Sequence, residues 1–369
     1  MGRLHDLFAQ EGQSPWLDNL RRDWLRSGEI ARWVDRGVRG ITSNPSIFEK
    51  AISGGDDYTD QLREAVAAGA TVEAAYWDLV VDDILAALEV LRPLYDGSGG
   101  GDGYVSVEVD PRLARDTAGT LAAARALWDR IDRPNLYLKV PATEEGLPAI
   151  RALVAEGRNV NVTLIFGLRR YREVMEAYVA GLEDAVAGGA TDLSRTSSVA
   201  SFFVSRVDNE VDRRLDAVGT DEALALRGAA AVAQAQLAYG AAQEVFAGDR
   251  WDRLAGLGAR PQRPLWASTS TKNPAYPDTL YVDSLIGPGT VNTLPDATLE
   301  AFDDHGTVSR TVDLDLEGAA GRWAAIGRLV DLDEVGELLE AEGVAAFEQS
   351  FDGLLGVLAA RVGSDSELR

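Results

Sequence analysis

The chain has 369 residues, of which 36 are Lys or Arg and 59 are Asp or Glu, a formal net charge of -23 that argues against nucleic acid or an anionic membrane as a general partner. It has no cysteine, which excludes disulfides and thiol nucleophiles, and only His5 and His305, too few for a His-based metal site or a Ser/His triad. No N-terminal apolar segment and no run of about 18 apolar residues is present, so a soluble cytoplasmic protein is expected.

In chain order, residues 1–13 read as a polar leader and residues 15–18 as a short strand ending in Asp18. Residues 20–36 have helical spacing, with Leu20, Trp24, Leu25, Ile30, Trp33 and Val34 on one side. A second strand spans 38–43. Asn44-Pro45 marks a turn, and Ser46 is expected to cap the next helix. Helical spacing runs to Leu94. Residues 96–103 are glycine-rich, but they precede a strand, lack Gly-Lys-Ser/Thr and carry Asp96 and Asp102, so a flexible insert is expected rather than a phosphate loop.

Strands follow at 104–109, 135–141, 159–166, 198–204 and 264–268, with a last short strand expected at 284–287. Between them, helices are expected at 111–131, 147–156, 168–187, 206–217, 224–246 and from Leu280. Everything after Pro295 reads as helical. Strand and helix alternate about eight times, the pattern of parallel β/α architecture. The Gly-x-Gly-x-x-Gly turn of a doubly wound sheet is absent. The expected fold is therefore α/β, a parallel (β/α)8 TIM barrel with added helices, notably at the C-terminus. It is expected to form one domain over 1–369, with a helical extension from about residue 319.

The strand at 135–141 carries the most informative residue. Side chains alternate along a strand, so Tyr137 and Lys139 share one face and Leu136, Leu138 and Val140 the other. A buried ammonium is costly, so such a lysine is either paired or titrates lower and attacks a carbonyl; a strand-end lysine reaching solvent is the other reading. The same separation recurs elsewhere. Tyr104, Ser106 and Glu108 oppose Val105, Val107 and Val109, and Asn159, Asn161 and Thr163 oppose Val160, Val162 and Leu164. Thr42 pairs with Asn44, Trp16 with Asp18, and Ser201 with Phe203 and Ser205.

Asp18, Thr42, Asn44, Glu108, Lys139, Asn161, Thr163 and Ser201 can thus point into one interior, near the strand ends where barrel active sites lie. Lysine condenses with a ketone, a carboxylate shuttles protons, and hydroxyl and amide groups orient a polyol and a water. This chemistry requires no metal. A divalent ion held by Asp18 and Glu108 is the weaker alternative, since the lysine between them would compete. No cofactor is expected.

These residues resemble the transaldolase family of Schiff-base aldolase barrels. The resemblance rests on Gly40-Ile41-Thr42-Ser43-Asn44-Pro45-Ser46, Ser106-Val107-Glu108-Val109-Asp110, 135–143, 161–166 and 201–208, in order from Asp18 to Asp208. Residues 264–295, with Lys272-Asn273-Pro274 and Asn292-Thr293-Leu294-Pro295, resemble the longer bacterial members. The resemblance implies that Lys139 forms the Schiff base, that Asp18 takes the C4 hydroxyl proton and that Glu108 and Thr163 hold the catalytic water. It assigns substrate hydroxyls to Thr42, Asn44, Asn161 and Ser201, with Phe203 beside them, and the sugar phosphate to Arg206. A second phosphate-binding arginine, present after the seventh strand in shorter relatives, has no counterpart; Ser268 and Lys272 stand in for it. The implied reaction moves a dihydroxyacetone unit from sedoheptulose 7-phosphate to glyceraldehyde 3-phosphate in the pentose phosphate pathway. An aldolase releasing free dihydroxyacetone and a non-catalytic sugar-phosphate-binding protein are the competing readings. Monomer and homodimer are both left open.

Overall fold

A computed structural model describes residues 2–366. Eight parallel strands close into a barrel in sequence order: β1 Ser14–Leu17, β2 Gly40–Ile41, β3 Tyr104–Glu108, β4 Leu136–Pro141, β5 Val160–Ile165, β6 Ser198–Phe203, β7 Arg263–Ala267 and β8 Val291–Leu294. Closure is made by β1 against β8, with Ser14 opposite Val291 and Leu17 opposite Leu294. The expected barrel is thus present. Both strand faces are buried throughout, apart from Arg263 at the start of β7, as a parallel sheet covered by helices requires.

The barrel interior is layered. At the N-terminal end, buried Asp102 accepts hydrogen bonds from Ser14 Oγ at 2.8 Å, Arg39 Nε at 2.7 Å and Arg263 Nη2 at 3.1 Å. Above it lie the rings of Trp16, Tyr104 and Tyr137. The two tyrosines stack at 4.2 Å between centroids, a contact worth roughly 0.5–1.5 kcal/mol beyond its burial. Trp16 explains Gly40, since a Cβ there would stand 2.3 Å from the indole. Lys139 and Glu108 form the next layer, toward the C-terminal end of the barrel.

Several local expectations are corrected. The glycine-rich segment is not a flexible insert. The preceding helix continues to Gly97, and the remaining turn is pinned by Asp102 and by Arg260, which donates to the carbonyls of Gly99 and Gly100. Asn44, not Ser46, caps the helix Pro45–Ser53: its Oδ1 accepts from Ile47 N at 2.9 Å, with Pro45 at the first helical position. The last strand is Val291–Leu294 rather than 284–287, where Leu285 and Ile286 are buried without pairing in the sheet. The expected helix at 20–36 is divided at Gly28, and that at 224–246 becomes Asp221–Leu224 and Ala230–Val245. An unforeseen helix, Gly248–Ala255, buries Trp251 and Leu254.

The C-terminal segment forms the helices Asp296–His305, Leu316–Gly327 and Leu332–Ser366. The last lies against the helix Pro45–Ser53, the helix Ser205–Val218 and β5, and so crosses the C-terminal mouth of the barrel. Its contact with β5 is close: a Cβ on Gly343 would stand 3.0 Å from Leu164 Cδ2. Leu164 has a left-handed backbone (φ 60°), and the pairing of β5 with β6 shifts register between Val162 and Ile165. That bulge interrupts strict alternation just after Thr163, a place where strain and function commonly coincide. No helix among the described residues is long and apolar enough to cross a membrane.

Candidate active site

A cavity of about 500 Å³ opens at the C-terminal end of the barrel. Ten of the sequence-predicted residues line it: Asp18, Thr42, Asn44, Lys139, Thr163, Ser201, Phe203, Arg206, Ser268 and Lys272. The other two, Glu108 and Asn161, lie just beneath its floor and are buried.

Lys139 on β4 sits opposite Glu108 on β3 in the sheet register. Its Nζ donates to Glu108 Oε2 at 3.0 Å and to the Ser43 carbonyl at 3.2 Å. The lysine is therefore paired rather than reaching freely to solvent. Burial pushes the Glu108 carboxyl above the ordinary range, with Asp18 adding to the rise and Lys139 opposing it. Glu108 Oε1 and Thr163 Oγ1 are both buried and have no protein partner.

Asp18 follows the end of β1 and accepts from Thr42 Oγ1 at 2.7 Å. Burial raises its pKa too, while Thr42, Lys139, Lys50 and Lys272 pull it down. Thr42 Oγ1 also meets Thr293 Oγ1 at 2.6 Å. Asn44 spends its amide oxygen on the helix cap, which leaves its Nδ2 as the donor facing a ligand. Asn161 donates to Ser106 Oγ at 3.0 Å and accepts from Ser201 Oγ at 2.7 Å. Being one layer deeper than the wall, it meets the cavity through Ser201.

Arg206 enters from the first turn of the helix Ser205–Val218, its guanidinium 5.2 Å from the Phe203 ring centroid. Burial weighs against its charge, and Glu342 on the last helix partly offsets this. Lys272 donates to Ser270 Oγ at 2.6 Å, and Ser268 has a left-handed backbone (φ 55°) just past β7. Among the described residues no set of three or more His, Cys, Asp and Glu is gathered as a metal site would need.

Sequence reading missed several lining residues, among them Thr293, Lys50 and Phe347. Thr293 was lost with the misplaced last strand. Lys50 lies on the same helix as Ile47, which also lines the cavity, so helical spacing from Asn44 could have found it. Phe347 comes from the last helix, and no local signal points to it.

A lysine paired with a carboxylate in the floor of a barrel mouth, under a cavity lined by further cations, narrows the family. The model of the transaldolase/fructose-6-phosphate aldolase family matches residues 15–358. The chain belongs to this family. It is 54% identical over 364 residues to a transaldolase of Parafrankia sp., covering 98% of each chain. It is 54% identical over 358 residues to a transaldolase of Thermobifida fusca, covering 96% of this chain and 97% of that one. It is also 55% identical over 351 residues to transaldolase 1 of Streptomyces coelicolor, covering 94% and 92%.

Proposed function

We propose that this protein is a transaldolase of the pentose phosphate pathway. It takes a dihydroxyacetone unit from sedoheptulose 7-phosphate and gives it to glyceraldehyde 3-phosphate, yielding erythrose 4-phosphate and fructose 6-phosphate. The observation that carries this reading is the buried Lys139–Glu108 pair at 3.0 Å beneath a polar cavity. Attack needs the neutral amine, and Glu108 is the adjacent group that can take the proton from Nζ.

Lys139 Nζ adds to the donor ketone, and loss of water from the carbinolamine gives an iminium. A water held between Glu108 Oε1 and Thr163 Oγ1 serves this dehydration and the later hydrolysis; the two unpartnered oxygens support that role. Asp18 then takes the C4 hydroxyl proton. The C3–C4 bond breaks, the aldehyde leaves, and the electron pair passes into the enamine on Lys139. Its raised pKa suits Asp18 to accept and return that proton. Addition to the second aldehyde reverses these steps. Thr42 orients Asp18, while Asn44 and Ser201 bind substrate hydroxyls, with Asn161 fixing Ser201.

Arg206 holds the sugar phosphate, assisted by Lys272 and Ser268 and by Lys50, which lines the same cavity. In a molecule of net charge -23 this local group of cations is what admits an anion. The protein works in the cytoplasm on small sugar phosphates.

The test is incubation with fructose 6-phosphate and borohydride, followed by peptide mass mapping. A three-carbon adduct is expected on the peptide containing Lys139. A label on another lysine would refute the assignment.

A further inference from the structure

We propose that Phe347, on the C-terminal helix, shields the lysine-bound enamine from bulk water and so sets the balance between transfer and release of free dihydroxyacetone. This rests on the Schiff-base reading above.

Phe347 is 4% exposed, and its ring centroid lies 5.6 Å from Lys139 Nζ. Among the described residues it is the one cavity-lining residue drawn from beyond Asp296. The helix that carries it is fastened on both sides of the ring. Before it, Gly343 lies against Leu164 and Phe166. After it, Ser350 Oγ meets Ser46 Oγ at 2.7 Å, and Phe351 packs edge-on against Tyr76 at 5.2 Å. The ring is therefore held over the reacting nitrogen and is not a loose surface group. An aromatic face also favours a cation beside it, whether ammonium or iminium.

After the first aldehyde leaves, the enamine carbon C3 carries the reactive electron pair. It can attack the acceptor aldehyde, forming the new C–C bond. Alternatively it can take a proton from solvent, which regenerates an iminium. Water then adds at C2, the C–N bond breaks, and free dihydroxyacetone and the Lys139 amine result, with no net oxidation or reduction. The water held by Glu108 and Thr163 serves product release on both routes. Exclusion of bulk water from C3 blocks only the second. An apolar ring beside Nζ does that while leaving the remainder of the cavity to the acceptor aldehyde.

The test compares wild type, Phe347→Leu and Phe347→Ala with fructose 6-phosphate as donor. Free dihydroxyacetone formed without acceptor is divided by transfer to glyceraldehyde 3-phosphate. A ratio cancels any loss of folded enzyme, because both rates scale with it. Phe347→Ala should raise the ratio by about tenfold, and Phe347→Leu, which keeps apolar bulk, by less than about threefold. An unchanged ratio in Phe347→Ala, or equal rises in both variants, would overturn the shielding role. Borohydride mapping of the wild type separates the two levels. If Lys139 is not labelled, the Schiff-base reading itself fails; if it is labelled and the ratio does not move, only the role of Phe347 fails.

Discussion

Asp18 and Glu108 are two carboxylates in one barrel interior, each with its pKa raised by burial, yet they have different partners. Glu108 is bonded to Lys139 and Asp18 to Thr42. That difference separates their roles. Glu108→Gln should slow formation of the Schiff base, since the group next to Nζ can no longer take its proton. Asp18→Asn should form the adduct and stop before C–C cleavage. Rapid borohydride trapping with fructose 6-phosphate reads both: slow labelling in the first variant and an accumulated six-carbon adduct in the second. A three-carbon adduct at the normal rate in Asp18→Asn would remove Asp18 from the cleavage step. The phosphate groups can be ranked in the same way. Arg206 is partly buried and lacks a bonded carboxylate, whereas Lys50 and Lys272 are exposed. Arg206→Ala should lose about 2–4 kcal/mol with phosphorylated donors and little with unphosphorylated ones, against about 1 kcal/mol or less for Lys50→Ala. Comparing kcat/KM for fructose 6-phosphate and fructose decides it.

At the scale of elements, helix packing around the site depends on a buried acid outside it. Asp208, on the helix that carries Arg206, accepts from Ala231 N at 2.7 Å and from Tyr281 Oη at 2.8 Å. It thereby ties that helix to the start of Ala230–Val245 and to the short helix Leu280–Asp283. Burial raises its pKa from 3.8 to about 6. A carboxyl raised in the folded state contributes stability at low pH that is lost as pH rises through the folded value, here between about 4 and 6. Ionised at pH 7, it costs about 3 kcal/mol from that shift. Asp208→Asn can still accept from Ala231 N through its amide oxygen, and its amide nitrogen can donate to Tyr281 Oη in place of accepting from it. Without the buried charge it should therefore melt higher than wild type at pH 7.5. The difference should vanish near pH 4. A gain independent of pH would show that Asp208 is not the titrating group.

At the scale of the whole molecule, the two barrel ends are bounded by different means. Packing by the last helix covers part of the C-terminal mouth, beside the opening of the cavity. The N-terminal end is closed by charge, with Asp102 bonded to Arg39 and Arg263. Removing one partner from a buried network strands the others, so Asp102→Ala should cost about 3–5 kcal/mol in chemical denaturation. Schiff-base trapping by the folded fraction should be unchanged, because the aromatic layer of Trp16, Tyr104 and Tyr137 separates the two ends.

Much of the barrel and most of its site were legible in the sequence. Strand side chains alternate, so a polar residue opposite an apolar face inside a covered sheet must point inward. That rule needs no partner, and it brought Asp18, Thr42, Glu108, Lys139 and Thr163 to one end. It failed where the signal was not local. The run Leu285-Ile286 looks more strand-like than Val291-Asn292-Thr293-Leu294, and only pairing with β1 and β7 selects the latter. Asp102 reads as a loop acid until Arg39 and Arg263 are brought to it. Phe347 lies more than two hundred residues from Lys139 on a helix whose own pattern names no partner. The sequence determined which side chains face inward, because that follows from backbone geometry one strand at a time. The tertiary structure alone decided what covers them, because that depends on which distant surfaces the chain buries together.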